Sequence, residues 1–90
     1  MSWSEVQEGK KIVKQIVKEI DSQIECEILE PVGEDFDRAL YPVILKKGHL
    51  REELKLSMED LEDIVADTTI QRKIRRVLQN EIQKFQYQPR

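Results

Sequence analysis

Few side chains in this sequence carry intrinsic reactivity. Nucleophilic catalysis by serine or cysteine needs a base beside the nucleophile, and the 90-residue chain holds one histidine, His49, and one cysteine, Cys26. Cys26 alternates with Glu25 and Glu27 between Ile24 and Ile28, a spacing that turns the thiol inward as a small apolar group. His49 follows Lys46-Lys47-Gly48, where a solvated turn residue is expected, and no second histidine or cysteine stands at metal-ligand spacing. Gly9, Gly33 and Gly48 are scattered singly and make no phosphate-cradling loop. Glu59, Asp60, Glu62, Asp63 and Asp67 are close in sequence but lack the alternating ligands and central glycine of a calcium loop. Glu59 and Asp60 instead suit the start of a helix. No catalytic set, metal or cofactor is expected, and an enzyme working through carboxylates such as Glu52 or Asp67 is the least favoured reading.

The strongest signal toward a binding surface is the run Arg72, Lys73, Arg75 and Arg76. On a helix, Arg72 and Arg76, continued by Gln79 and Gln83, lie almost opposite the apolar side, with Lys73 and Arg75 on the flanks. They fall in the first turns, where the helix dipole disfavours cations by a few tenths of a kcal/mol. Two causes could favour them there. Glu62, Asp63 and Asp67 stand just upstream and could pair with Arg72 and Arg75, or the face could neutralise a polyanion or meet a protein partner. Lys11, Lys14 and Lys18 form a second basic stripe, which also fits an ordinary solvated face.

These residues need elements to position them. Val6, Ile12, Val13, Ile16, Val17 and Ile20 fall within an arc about 140° wide at helical spacing. Ser2 with Glu5, and Met1 with Val6, form a capping box and staple, so the first helix is predicted to start at Ser2 or Ser4. Gly9 sits in its apolar arc, where close approach of another backbone would explain it. A strand is expected around Ile24–Ile28, a loop at Pro31 to Asp35, and a second strand over 39–45. Pro42 cannot donate to a ladder, which suggests an edge strand or an amide position facing solvent.

Lys46-Lys47-Gly48-His49 reads as a hairpin turn. Pairing Lys46 with His49 would set Leu45 opposite Leu50, Tyr41 opposite Leu54 and Ala39 opposite Leu56, in a third strand. The rival reading is a helical stripe of Leu50, Leu54, Met58 and Leu61. Ser57 and Asp60, flanked by Leu56 and Leu61, argue instead for a short helix starting after the strand. It should carry Leu61, Ile64 and Val65 inward and stop near Asp67. Thr68, with Gln71, should then cap the last helix, whose apolar side is Ile70, Ile74, Val77, Leu78, Ile82 and Phe85. Glu81 lies inside that apolar arc, where an unpaired carboxylate would be costly. It could meet a cation from a second chain, so Glu81 and Phe85 mark a candidate self-association surface.

Composition agrees with this outline. With 39% apolar and 37% charged residues, residues 1–85 are expected to form one compact α+β domain, with 86–90 as a frayed tail. The fold class is an N-terminal helix, a small antiparallel sheet of two or three strands, a short helix and a C-terminal helix, packed on one sheet face. The net charge of −3 divides sharply, with zero over residues 1–22, −8 over 23–67 and +5 over 68–90. One cysteine and no apolar stretch of secretory or membrane-spanning length suggest a soluble cytoplasmic protein away from membranes.

The order helix, three-stranded meander, helix resembles the double-stranded-RNA-binding domain in outline. Residues Thr68 to Lys73 lack that family's basic, alanine-rich helix start, and the extra helix at 58–66 departs from it. The helix pair across Asp67-Thr68 resembles a helix-turn-helix, but with a short turn lacking glycine. These likenesses concern the fold. The resulting expectation is a non-catalytic protein-interaction or regulatory module that could form a homodimer. The alternative is a nucleic-acid accessory protein using the basic face of the last helix.

Overall fold

The computed structural model describes residues 3–31 and 39–86. The capping roles expected of Met1 and Ser2, the loop residues Gly33 to Asp35 and the tail beyond Gln86 lie outside the described residues. In chain order the elements are α1 (Trp3–Ile20), β1 (Glu25–Ile28), β2 (Leu40–Lys47), β3 (Leu50–Ser57), α2 (Met58–Asp63) and α3 (Thr68–Gln86). The strands form one antiparallel sheet in the order β1-β2-β3. All the helices pack on one face of it, as the sequence predicts.

Alternation explains which residues build that layer. Cys26 and Ile28 of β1, Tyr41, Val43 and Leu45 of β2, and Leu54 and Leu56 of β3 join Val13, Val17, Leu61, Ile74 and Leu78 in one apolar cluster. Of the intervening residues, Glu25, Glu27, Lys46, Arg51, Glu53 and Lys55 are exposed on the other face, whereas Pro42 and Ile44 of the central strand are buried there. Lys10 lies over the Tyr41 ring, 5.0 Å from its centroid, and ties α1 to the central strand. At the end of α1, Asp21 Oδ2 accepts from Lys47 Nζ at 2.7 Å and Oδ1 accepts from Gln23 N–H at 3.0 Å. The helix end is thereby fastened to the β2–β3 hairpin.

Gly9 answers its packing expectation. A Cβ built on it would overlap the Leu61 carbonyl oxygen and come within 2.7 Å of the carbonyl carbon. The α2 backbone therefore rests directly on α1.

The hairpin differs from the expected register. Lys47, not Lys46, closes the turn opposite Leu50, so Val43 faces Leu54, Tyr41 faces Leu56, and Leu45 faces Glu52. Gly48 has φ +62° and is the only described residue with positive φ, the pattern of a two-residue turn with glycine in first place. The slip is by two residues, which leaves every side chain on its expected face.

Of the two expectations for Pro42, the edge strand is overturned, since β2 is the central strand. Its carbonyl accepts from Leu29 N–H at 2.9 Å. Backbone N and C=O of one strand residue point the same way, so the missing donor faces the end of β1, where the ladder stops.

Ser57 caps α2 as predicted, accepting from Asp60 N–H at 3.1 Å. The helix ends at Asp63, and Val65 is 37% exposed instead of facing inward. Thr68 does not cap α3. Asp67 does, through Oδ1 contacts with the N–H groups of Thr69 and Ile70 at 2.8 and 3.4 Å. A carboxylate is the better acceptor and also complements the helix dipole. Gln71, the expected capping partner, donates to the Ile64 carbonyl at 2.7 Å instead.

Candidate functional site

Two helices frame the candidate site. Ile12, Gln15 and Ile16 of α1 share a groove of about 360 Å³ with Thr68, Gln71 and Arg72 of α3. Further along, Ile20 lies beside Gln79 and Ile82, so α1 and α3 run side by side in the same direction. The helices meet through apolar residues at depth, and longer polar side chains form the rims.

The predicted basic residues divide into two kinds. Arg75 Nη2 donates to Glu19 Oε1 at 2.6 Å across the groove. Lys73 Nζ lies 3.4 Å from the Asp60 carboxylate. Of the two arginines expected to pair with Glu62, Asp63 or Asp67, Arg75 takes Glu19 instead, while Asp67 is engaged as a cap. Arg72 and Arg76 are exposed and have no ion-pair partner among the described residues. Such exposed pairs contribute about 0–1 kcal/mol each, so Arg75 and Lys73 are held in place more than they are held back from another anion.

The Lys11–Lys14–Lys18 stripe is exposed on α1. Lys11 is 3.7 Å from Glu8, which is ordinary helix-surface pairing. Together α1 and α3 contain nine lysines and arginines against four glutamates, so this pair of helices is cationic, while α2 between them in sequence carries four carboxylates and no cation.

Glu81 is paired within its own helix, with Lys84 Nζ at 3.1 and 3.2 Å from its two oxygens. Phe85 is 7% exposed and belongs to the core. The two features that suggested a contact with a second chain are thus occupied inside this one.

Cys26 is half-buried, and burial pushes its thiol up to about 11 despite the nearby Lys14. A neutral thiol is a poor nucleophile. His49 is exposed in the hairpin turn, as expected. Among the described residues no group of three or more His, Cys, Asp and Glu side chains could hold a metal ion. The clustered carboxylates instead mark an acidic end, where Glu5, Glu62, Asp63 and Asp67 surround a shallow hollow beside the exposed Val65.

No described helix is long and apolar enough to cross a membrane. In comparisons with family models, curated proteins and solved structures, the chain matches none.

Proposed function

We propose that this chain is a small interaction module that receives an acidic segment of a protein partner along the α1–α3 groove. The observation that carries this reading is the position of Arg72 and Arg76, exposed and unpartnered on α3 among the described residues, with Arg72 also lining the groove. Ile12 and Ile16 offer apolar contact below them, and Gln15 and Gln71 offer amide groups for a partner backbone. Arginine suits this role because its planar fork binds carboxylates in pairs of hydrogen bonds.

A second reading is a nucleic-acid accessory role on the same face. It rests on the four cations Arg72, Lys73, Arg75 and Arg76 within one and a half turns. Two of them already have carboxylate partners, and the acidic end adjoins the start of α3. A phosphate backbone would feel that repulsion within a Debye length of about 8–10 Å. A short acidic peptide, which makes few contacts, would feel less.

The discriminating experiment compares a labelled acidic peptide carrying leucines among its glutamates with single- and double-stranded RNA and DNA, at about 50 and 200 mM salt. Peptide binding that weakens about tenfold in Arg72→Ala/Arg76→Ala and shifts the amide signals of Ile12 and Ile16 supports the interaction module. Steeply salt-dependent nucleic-acid binding, lost in the same variant, transfers the face to the second reading. Binding of neither probe at low salt defeats both.

A further inference from the structure

Among the described residues, the β3 strand has a long backbone edge with no strand beside it. The tight turn pairs Lys47 with Leu50, and Met58 N–H donates to the Ala39 carbonyl at 3.2 Å at the other end. Both fix the even-numbered residues of β3 as those whose amides face β2. Arg51, Glu53 and Lys55 therefore turn their N–H and C=O groups away from the sheet. β3 is an end strand, and those groups have no backbone partner among the described residues. The side chains of all three are exposed on the face opposite the helices.

The charges along that edge complement those of a second copy, with no like charges opposed, in the register centred on Leu54. In antiparallel pairing, outward-facing residues must oppose one another. Centring the pair on Glu53 would set Glu53 against its own copy and Arg51 against Lys55. Centring it on Arg51 or Lys55 sets like charges on the axis. Centring it on Glu52 opposes Arg51 to Glu53 twice, but sets Glu52 against its own copy on the helix side. Centring on Leu54 is different. It opposes Glu53 to Lys55 twice, sets Leu54 against Leu54 on the helix side, and leaves Arg51 facing Ser57. Leu54 is only half-buried within one chain, so a second copy would cover what remains.

We propose that β3 pairs antiparallel with the β3 of a second copy of this chain, across a two-fold axis at Leu54, joining two three-stranded sheets into one of six strands. An edge of eight residues supplies enough backbone groups for such pairing. The two Glu53–Lys55 pairs favour a second copy as the occupant, because the same strand run antiparallel carries the matching order of charges. This surface lies apart from the α1–α3 groove, and the proposal does not depend on the occupant of that groove.

The test is sedimentation equilibrium from about 10 to 500 μM on the natural protein and four variants, with circular dichroism to verify folding. Glu53→Lys and Lys55→Glu each convert two attractive pairs into repulsive ones and should weaken dimerisation at least about tenfold. The double variant Glu53→Lys/Lys55→Glu restores the pairs in reversed order and should recover the natural affinity within about threefold. Glu53→Pro removes an outward N–H without breaking the β2 ladder and should abolish the dimer. A natural protein that is monomeric throughout would overturn the proposal. So would a dimer indifferent to the single reversals, or a folded double variant that stays monomeric.

Discussion

The carbonyl oxygen of Leu61 occupies the space that a side chain on Gly9 would need. α1 and α2 are thus in backbone contact, and both residues are buried. Glycine costs about 1 kcal/mol against alanine inside a helix, yet alanine here would force the two backbones apart. Gly9→Ala should lower stability by about 1–3 kcal/mol despite the gain in helix propensity. In a domain of this size that is a fall in Tm of roughly 10 °C. Thermal unfolding by circular dichroism gives the answer, and an unchanged or raised Tm would contradict the contact.

The cap of α3 gives a second expectation. Asp67 accepts from two helix N–H groups, whereas the Thr68 side chain is exposed and makes no hydrogen bond within the described residues. Asp67→Ala should cost about 1 kcal/mol and Thr68→Ala a few tenths. Urea midpoints for the two variants, measured side by side, distinguish the capping residue directly. Equal losses would return the cap to Thr68.

Acid titration bears on the link between α1 and the hairpin. The hydrogen bond from Lys47 and the backbone N–H of Gln23 hold the Asp21 carboxyl below its ordinary value. Because the folded value is the lower one, the stabilisation is fully present above the unfolded value of about 3.9 and is lost as pH falls through the folded one. Asp21→Asn should be less stable than the natural protein at pH 6, by about 1 kcal/mol for a pair that is still partly exposed. The difference should shrink once pH drops below about 4. A gap that persists at pH 2 would assign the effect to something other than the charge.

Cys26 should be a slow thiol. With burial raising it to about 11, little thiolate exists at pH 8, and the greater nucleophilicity of that thiolate offsets only part of the deficit. Alkylation by iodoacetamide should run at least about tenfold slower than for a free cysteine peptide, and unfolding in urea should abolish the difference. Rapid modification of the folded protein would place the thiol in a more exposed or more cationic setting.

How far the sequence foretold this structure depended on the distance over which each signal acts. The periodicity of Val6 to Ile20, the alternation around Cys26 and the Ser57–Asp60 cap are local, and each element appears where its pattern predicts. The hairpin register was legible only up to a slip of two residues, because alternation distinguishes faces and not which neighbour on the same face is met. The exposure of Val65 follows from α2 ending at Asp63, and nothing local to Val65 announces that end.

The basic face was visible as a stripe, but its partners were not. Arg75 reaches Glu19, 56 residues away in sequence, a pairing that exists only once α1 and α3 lie side by side. Proximity in sequence pointed to Asp67, which the start of α3 uses for its own N–H groups. Lys84, three residues from Glu81, could have been read as its partner from helical spacing alone.

The two edges of the sheet are unequal, and Pro42 is part of the reason. Its missing N–H ends the ladder to β1, which stops at four residues against the eight of β3. A sheet with two long edges could add copies at both ends and grow without limit. Here, two chains joined through β3 would present only the short β1 strands outward, a poor template for a third. Assembly by strand addition would stop at two, with one imino acid in the central strand helping to keep a sticky edge from becoming a filament.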